Sequence, residues 1–163
     1  MSDLPETRLI TSRTEFHEGL KEAFAFIADK GCREVIIADP NFADWPLSDR
    51  AVLESLTRWA YRHRKLIILA ESFDEFPRRH ARWVEWRRQW SHVVECRAAD
   101  TADVGQVTGL FLVPELITLR VLDPDHYRAS LSFDPADALR ARDGVEAVLQ
   151  RSEEAFPVTT LGL

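Results

Sequence analysis

Apolar residues recur along this chain in two rhythms. Phe16, Leu20, Phe24 and Ile27 fall at i, i+4, i+8 and i+11, the spacing of one face of a helix. Ser12 or Thr14 offers the N-cap, and Gly31 stops the helix because a residue without Cβ takes the left-handed C′ conformation at little cost. Before this helix lies a short β-prone run, Arg8–Thr11; after it comes Glu34-Val35-Ile36-Ile37-Ala38, bounded by Asp39-Pro40-Asn41. An unbroken apolar run of that length predicts a buried parallel strand.

The second rhythm repeats the first. A helix is predicted from Ser48, with Val52, Leu56, Trp59, Ala60 and His63 on one stripe, running through Arg62, Arg64 and Lys65 into the strand Leu66–Ala70. Basic residues in a last turn suit the negative end of the helix dipole. Pro77 stands at a suitable N1 position before a helix over Arg78–Trp90, followed by the strand His92–Cys96. Three successive helix-then-strand units imply a parallel sheet with right-handed crossovers. Later, Leu116–Leu122 and Tyr127–Phe133 flank the turn Asp123-Pro124-Asp125-His126, a hairpin by turn chemistry. Asp134-Pro135 then caps a closing helical region whose predicted inward residues are Leu139, Val145, Val148, Leu149 and Phe156.

The predicted fold class is therefore α/β: a mainly parallel sheet flanked by helices, with a C-terminal antiparallel hairpin and a closing helix. A length of 163 residues, without a linker or repeat, implies one domain over 1–163 with a core from about 6 to 158. The N-terminus shows no basic-then-apolar leader, and apolar runs such as Leu66–Ala70 fall far short of the ~20 residues that span a bilayer. A cytoplasmic protein without membrane contact is expected. The net charge of −6 opposes general coating of nucleic acid. Cys32 and Cys96 are isolated, without the CxxC spacing of a zinc or redox site, and read as buried free thiols.

No GxSxG, GxGxxG, Walker or HExxH run is present, and His17, His80, His92 and His126 fall at no ligand spacing, so no cofactor or metal is expected. His126 and Tyr127-Arg128 belong to the hairpin turn, a structural position. Asp39, Asn41, Asp44, Glu71 and Asp74 follow the C-terminal ends of strands, where ligands sit in open α/β sheets. With Asp123 they make an acidic edge. These residues either serve an enzyme or a binder of a small ligand, a divalent cation or an amine, or simply cap helix N-termini. The segment Arg78–Trp90 has five Arg and three Trp in thirteen residues. Trp83, Trp86 and Trp90 form one stripe with Arg79 near its middle. Such a stripe is core, a protein interface, or a surface for single-stranded nucleic acid.

The order of elements resembles one half of the phospholipase D-like fold. The likeness is carried by Glu34–Asp39 leading into a helix and then Lys65–Glu71, by the hairpin at 116–133, and by Gly144–Ser152 as a terminal helix. Active members carry H-x-K-x-x-x-x-D on the first strand of that hairpin, the His attacking phosphorus and the Lys holding the phosphoryl charge. With Asp123 in the acidic position, Leu116 stands for the His and Thr118 for the Lys. A second stretch, His63-Arg64-Lys65 to Glu71, has the His and Lys but Ala70 in the acidic position. The resemblance implies a domain without phosphodiesterase chemistry, an interaction or regulatory module, paired as a homodimer because two such halves pack together in the family. Arg79, Trp83, Trp86 and Trp90 are the expected contact.

Overall fold

A computed structural model of the chain describes residues 7–158. Strand β1 (Arg8–Ile10) is followed by helix α1 (Arg13–Lys30), β2 (Glu34–Ala38), α2 (Arg50–Trp59) and β3 (Lys65–Ala70). Next come α3 (Phe76–Arg79), α4 (Ala81–Gln89), β4 (Val94–Ala98), β5 (Leu110–Val113) and β6 (Ile117–Asp123). Strand β7 (Arg128–Ser132), α5 (Pro135–Arg151) and β8 (Glu153–Glu154) complete the described chain. The strands form one sheet in the order β1-β7-β6-β5-β2-β3-β4-β8.

The sheet has helices on both sides, as the sequence predicts, but its parallel part is narrow. Among the described residues only β2–β3 and β3–β4 pair in parallel. Strand β5 joins β2 antiparallel, the β6–β7 hairpin extends that wing, and β1 closes it beside β7. The parallel core is thus three strands within a mixed sheet. The run 110–113 carries no long period to announce it, and β1 crosses to the far edge instead of starting the parallel series.

Alternation along the central strands divides the core. Val35, Ile37, Leu66 and Ile68 pack under α1, α2, α3 and α4, whereas Ile36, Ala38, Leu69, Leu110 and Leu112 pack under α5 through Ala138, Val145 and Val148. Helix α1 buries Phe16, Leu20, Phe24 and Ile27 as expected. The Ser12 side chain accepts the Glu15 N–H, Glu15 reaches back to the Thr11 N–H at 2.8 Å, and Gly31 sits at φ 71°. Both cysteines are buried and unpaired, and burial pushes the Cys96 thiol up to about 12.

Three predicted helices differ in detail, and the strand expected over His92–Cys96 lies at Val94–Ala98. Helix α2 is capped by Asp49 and ends at Trp59, where the Arg64 guanidinium bonds the Trp59 carbonyl at 2.5 Å and the Trp59 indole reaches the Cys32 carbonyl at 2.7 Å. His63 therefore lies in a turn, at φ 64°, and not on the helix stripe. The helix foreseen over Arg78–Trp90 is broken at His80, whose buried ring donates to the Phe42 carbonyl at 2.7 Å. Leu139, expected inside, is 61% exposed on the flank of α5, and Phe156 lies beyond the helix.

Candidate functional site

The hairpin strand that resembles the family's catalytic strand brings Leu116 and Thr118 to one end of β6. Leu116 ends the turn after β5 and is 41% exposed; Thr118 is 4% exposed and faces Ser132 of β7. Its Oγ1 has no hydrogen-bond partner. A cleft of about 150 Å³ lies here under α5, lined by Thr118, Arg120, Ser130, Ser132, Asp137 and Arg140. Ser132 donates to Asp137 at 2.5 Å, and with Arg140 it holds that carboxyl below the ordinary range. Asp123 sits at the other end of the strand, capping the turn at Pro124–His126. The His126 imidazole donates to it at 2.8 Å and lowers its pKa.

The acidic edge resolves into separate structural tasks. Asp39 Oδ2 accepts the N–H groups of Asn41 at 3.2 Å and Phe42 at 2.8 Å, which folds the segment after β2. Asn41 accepts the Ala43 N–H at 2.9 Å. Glu71 accepts the Gly105 N–H at 2.7 Å, tying the end of β3 to the segment before β5. Asp39, Asn41 and Asp44 share one cleft of about 190 Å³, whereas Glu71 lines another with Ser72, Phe73 and Asp74. Asp123 lines neither, although Pro124 and Tyr127 of its turn reach the first. The four predicted ligand residues therefore do not converge. Among the described residues no group of three or more His, Cys, Asp or Glu side chains is arranged to hold a metal ion.

Burial pushes the Asp39 carboxyl up, against the two backbone N–H groups and the nearby Trp45 indole, which pull it down. Aromatic rings complete this cleft: Phe16 from α1, Trp45 from the segment before α2, and Tyr127 from the hairpin turn. Sequence reasoning missed all three as site residues. Phe16 reads as a core position, and nothing local shows that Tyr127, from the far wing of the sheet, comes to face Trp45's loop.

The tryptophan stripe faces inward. Trp83 and Trp86 are buried in the core beside Phe76 and Thr57, with the Trp86 indole donating to Thr57 at 3.1 Å. Burial within one chain leaves these two rings no surface to offer a partner, because the sheet face under α3 and α4 needs an apolar cover. Trp90 is half-buried against Trp86 and His92. Arg79 is partly exposed but shares Glu75 with Arg78; Arg88 pairs with Glu85. Arg87 is buried and donates to the Phe156 carbonyl, pinning the segment after β8. The His63–Glu71 imitation also dissolves, since Lys65 at the start of β3 pairs with Glu95 of β4.

No family model matches the sequence, and no curated protein does. Solved structures do. NucT from Helicobacter pylori matches with a TM-score of 0.63 and 13% identity over 92% of this chain and 99% of its own. Nuc from Salmonella typhimurium, a phospholipase D family member, matches with a TM-score of 0.59 and 8% identity over 94% and 100%. TrmBL2, described as an archaeal chromatin protein with a novel mode of DNA binding, gives a TM-score of 0.66 and 16% identity over 93% of this chain. The chain spans about half of TrmBL2, 54% of its length. Identities this low speak for architecture alone, and that architecture is the phospholipase D-like fold.

Proposed function

We propose that this protein is a catalytically silent phospholipase D-like domain that acts as a homodimeric interaction module. One observation carries the reading: the positions at the start of the hairpin that resemble the family's nucleophile and phosphoryl-binding lysine hold Leu116, just before β6, and Thr118 within it. Leucine has no lone pair to attack phosphorus, and a threonine hydroxyl cannot carry the charge of an ammonium. Support for pairing comes from the family likeness and from the wing β1–β7–β6. Helix α5 packs on β5 and β6, and beyond it Leu9 of β1, opposite the buried Ile10, is 71% exposed. We place the second copy on this wing and not on the tryptophan helix.

The test pairs an activity assay with a mass measurement. The purified protein is expected to leave a chromogenic phosphodiester and DNA uncleaved, to run as a dimer by native mass spectrometry, and to become monomeric on Leu9→Glu. Turnover that scales with protein concentration would overturn the silent reading; a monomeric wild type would overturn the pairing. DNA binding, which TrmBL2's description brings to mind, has weaker support. Of the arginines in the Arg/Trp segment, Arg78, Arg79 and Arg88 are held by glutamates and Arg82 alone is exposed without an ion pair, on a chain of net charge −6.

A further inference from the structure

After α5 the chain turns at Ser152 and lies along the edge of β4. Arg97 holds the turn, its Nε donating to Ser152 Oγ at 2.9 Å and its Nη2 to the Ser152 carbonyl at 2.6 Å. Glu153 and Glu154 pair with Ala98 and Arg97, and the Ala155 N–H donates to the Cys96 carbonyl at 3.0 Å. Residues 152–156 thus bind the sheet edge as an extended peptide does when it adds a strand. The proposed function leaves this strap unused.

Phe156 anchors the strap. Its ring stacks on Phe73, with centroids 5.5 Å apart at 8°, lies 5.6 Å from Phe76, and has the Arg87 guanidinium 5.1 Å from its centroid. The Phe156 carbonyl accepts from Arg87. Arg87 is 6% exposed, its Nε closes no hydrogen bond, and it forms no ion pair among the described residues. A buried cation without an acceptor is costly, and the strap supplies the acceptor that this one has. The stacked face of Phe73 is covered by Phe156 itself, so departure of the strap would bare an aromatic seat beside a guanidinium.

Three properties make the strap displaceable. Its pairing with β4 covers two residues. Phe156 holds φ at 47°, in the left-handed region, and stands before Pro157, where an extended backbone is favoured, so its own backbone works against the seat its ring occupies. A cleft of about 590 Å³, lined by Phe73, Asp74, Pro77, Ala98 and Phe156, lies alongside and gives another chain access. We infer that the β4 edge, with Phe73, Phe76 and Arg87, is a docking seat for an extended, aromatic-bearing peptide of a partner protein, which residues 152–156 occupy in cis. A second copy's strap would carry the same strain at its Phe-Pro step, so a peptide free of that step is the better ligand. The tether gives the strap an effective concentration on the order of millimolar, which a partner must exceed. The seat lies at the opposite end of the sheet from β1, and the inference stands or falls independently of the silent, dimeric reading.

The probe is a fluorescein-labelled peptide of the 152–158 sequence carrying Pro157→Ala, added to the full chain and followed by fluorescence anisotropy. Two variants of the protein loosen the strap and leave the seat intact: Ala155→Pro removes the N–H that reaches Cys96, and Phe156→Ala removes the anchoring ring. Each is expected to bind the probe about tenfold more tightly than the wild type does, and a probe with alanine in place of its phenylalanine is expected to bind none of the three. Thermal melts establish that the variants are folded; if neither folds, the wild type titrated to millimolar probe still reads the dependence on the ring. Binding that ignores the ring, equal affinity in wild type and loosened variants, or no saturable binding at millimolar probe would overturn the inference. Tighter binding by the unaltered 152–158 sequence would seat a second copy there and overturn it as well.

Discussion

Asp39 is pulled two ways, since its carboxylate folds the segment after β2 by accepting two N–H groups while its burial disfavours the charge. A carboxyl whose pKa rises on folding binds its proton more tightly in the folded state. Its contribution to stability is therefore complete below the ordinary value of 3.8 and is lost as pH climbs through the raised value. Asn keeps an acceptor oxygen and discards the charge. Asp39→Asn is expected to melt higher than the wild type at pH 7, because the raised pKa means that burial outweighs the bonds favouring the charge, with the difference closing on acidification below the raised pKa. Thermal melts at a series of pH values check this. Asp103 has the opposite sign: Arg151 bonds both its oxygens at 2.8 Å and lowers its pKa, so its contribution fades as pH falls.

Helices α3 and α4 act as the lid of one half of the core. Trp83→Ala is expected to cost about 3–5 kcal/mol in urea unfolding, by loss of packing and a residual cavity, without changing the subunit count of the protein that remains folded. A change of subunit count at equal stability would return these rings to an interface. Close approach governs the opposite wing. A Cβ on Gly109 would lie 2.5 Å from Val121 Cγ2, while the Gly109 carbonyl accepts the Val121 N–H at 2.9 Å. Gly109→Ala is expected to destabilise by about 1–3 kcal/mol, and Val121→Ala in the same chain to restore part of the loss. Double-mutant denaturation would show whether the two sites couple.

These two elements also mark what the sequence does and does not disclose. The periodic stripe of α1, the Gly31 stop, the apolar runs of β2 and β3 and the turn of the β6–β7 hairpin are local signals, and each is found where the pattern puts it. Strand β5 is four residues between Gly109 and Pro114, too short to show a period. Asp39 and Asn41 were legible as site candidates because strand ends gather polar residues. Their aromatic companions arrive from residues 16, 45 and 127, a meeting that only tertiary structure creates.

Across the whole molecule, the arrangement of strands sets an order of cohesion. The centre, β2 with β3, pairs over five residues and is packed on both faces. Both margins are short and are recruited from distant sequence: β1 joins β7 over three residues, and β8 joins β4 over two. Short margins offer little template for edge-to-edge association with other chains. They also have the least to lose on opening. In native-state hydrogen–deuterium exchange, amides of Ile36, Ile37, Leu66 and Ile68 are expected to exchange only through global unfolding, while those of β1 and β8 exchange by sub-global opening. If a second copy covers the β1 wing, this fraying becomes concentration-dependent: dilution would speed exchange in β1 and leave β8 unchanged. The two ends of one sheet would then report, side by side, on folding and on assembly.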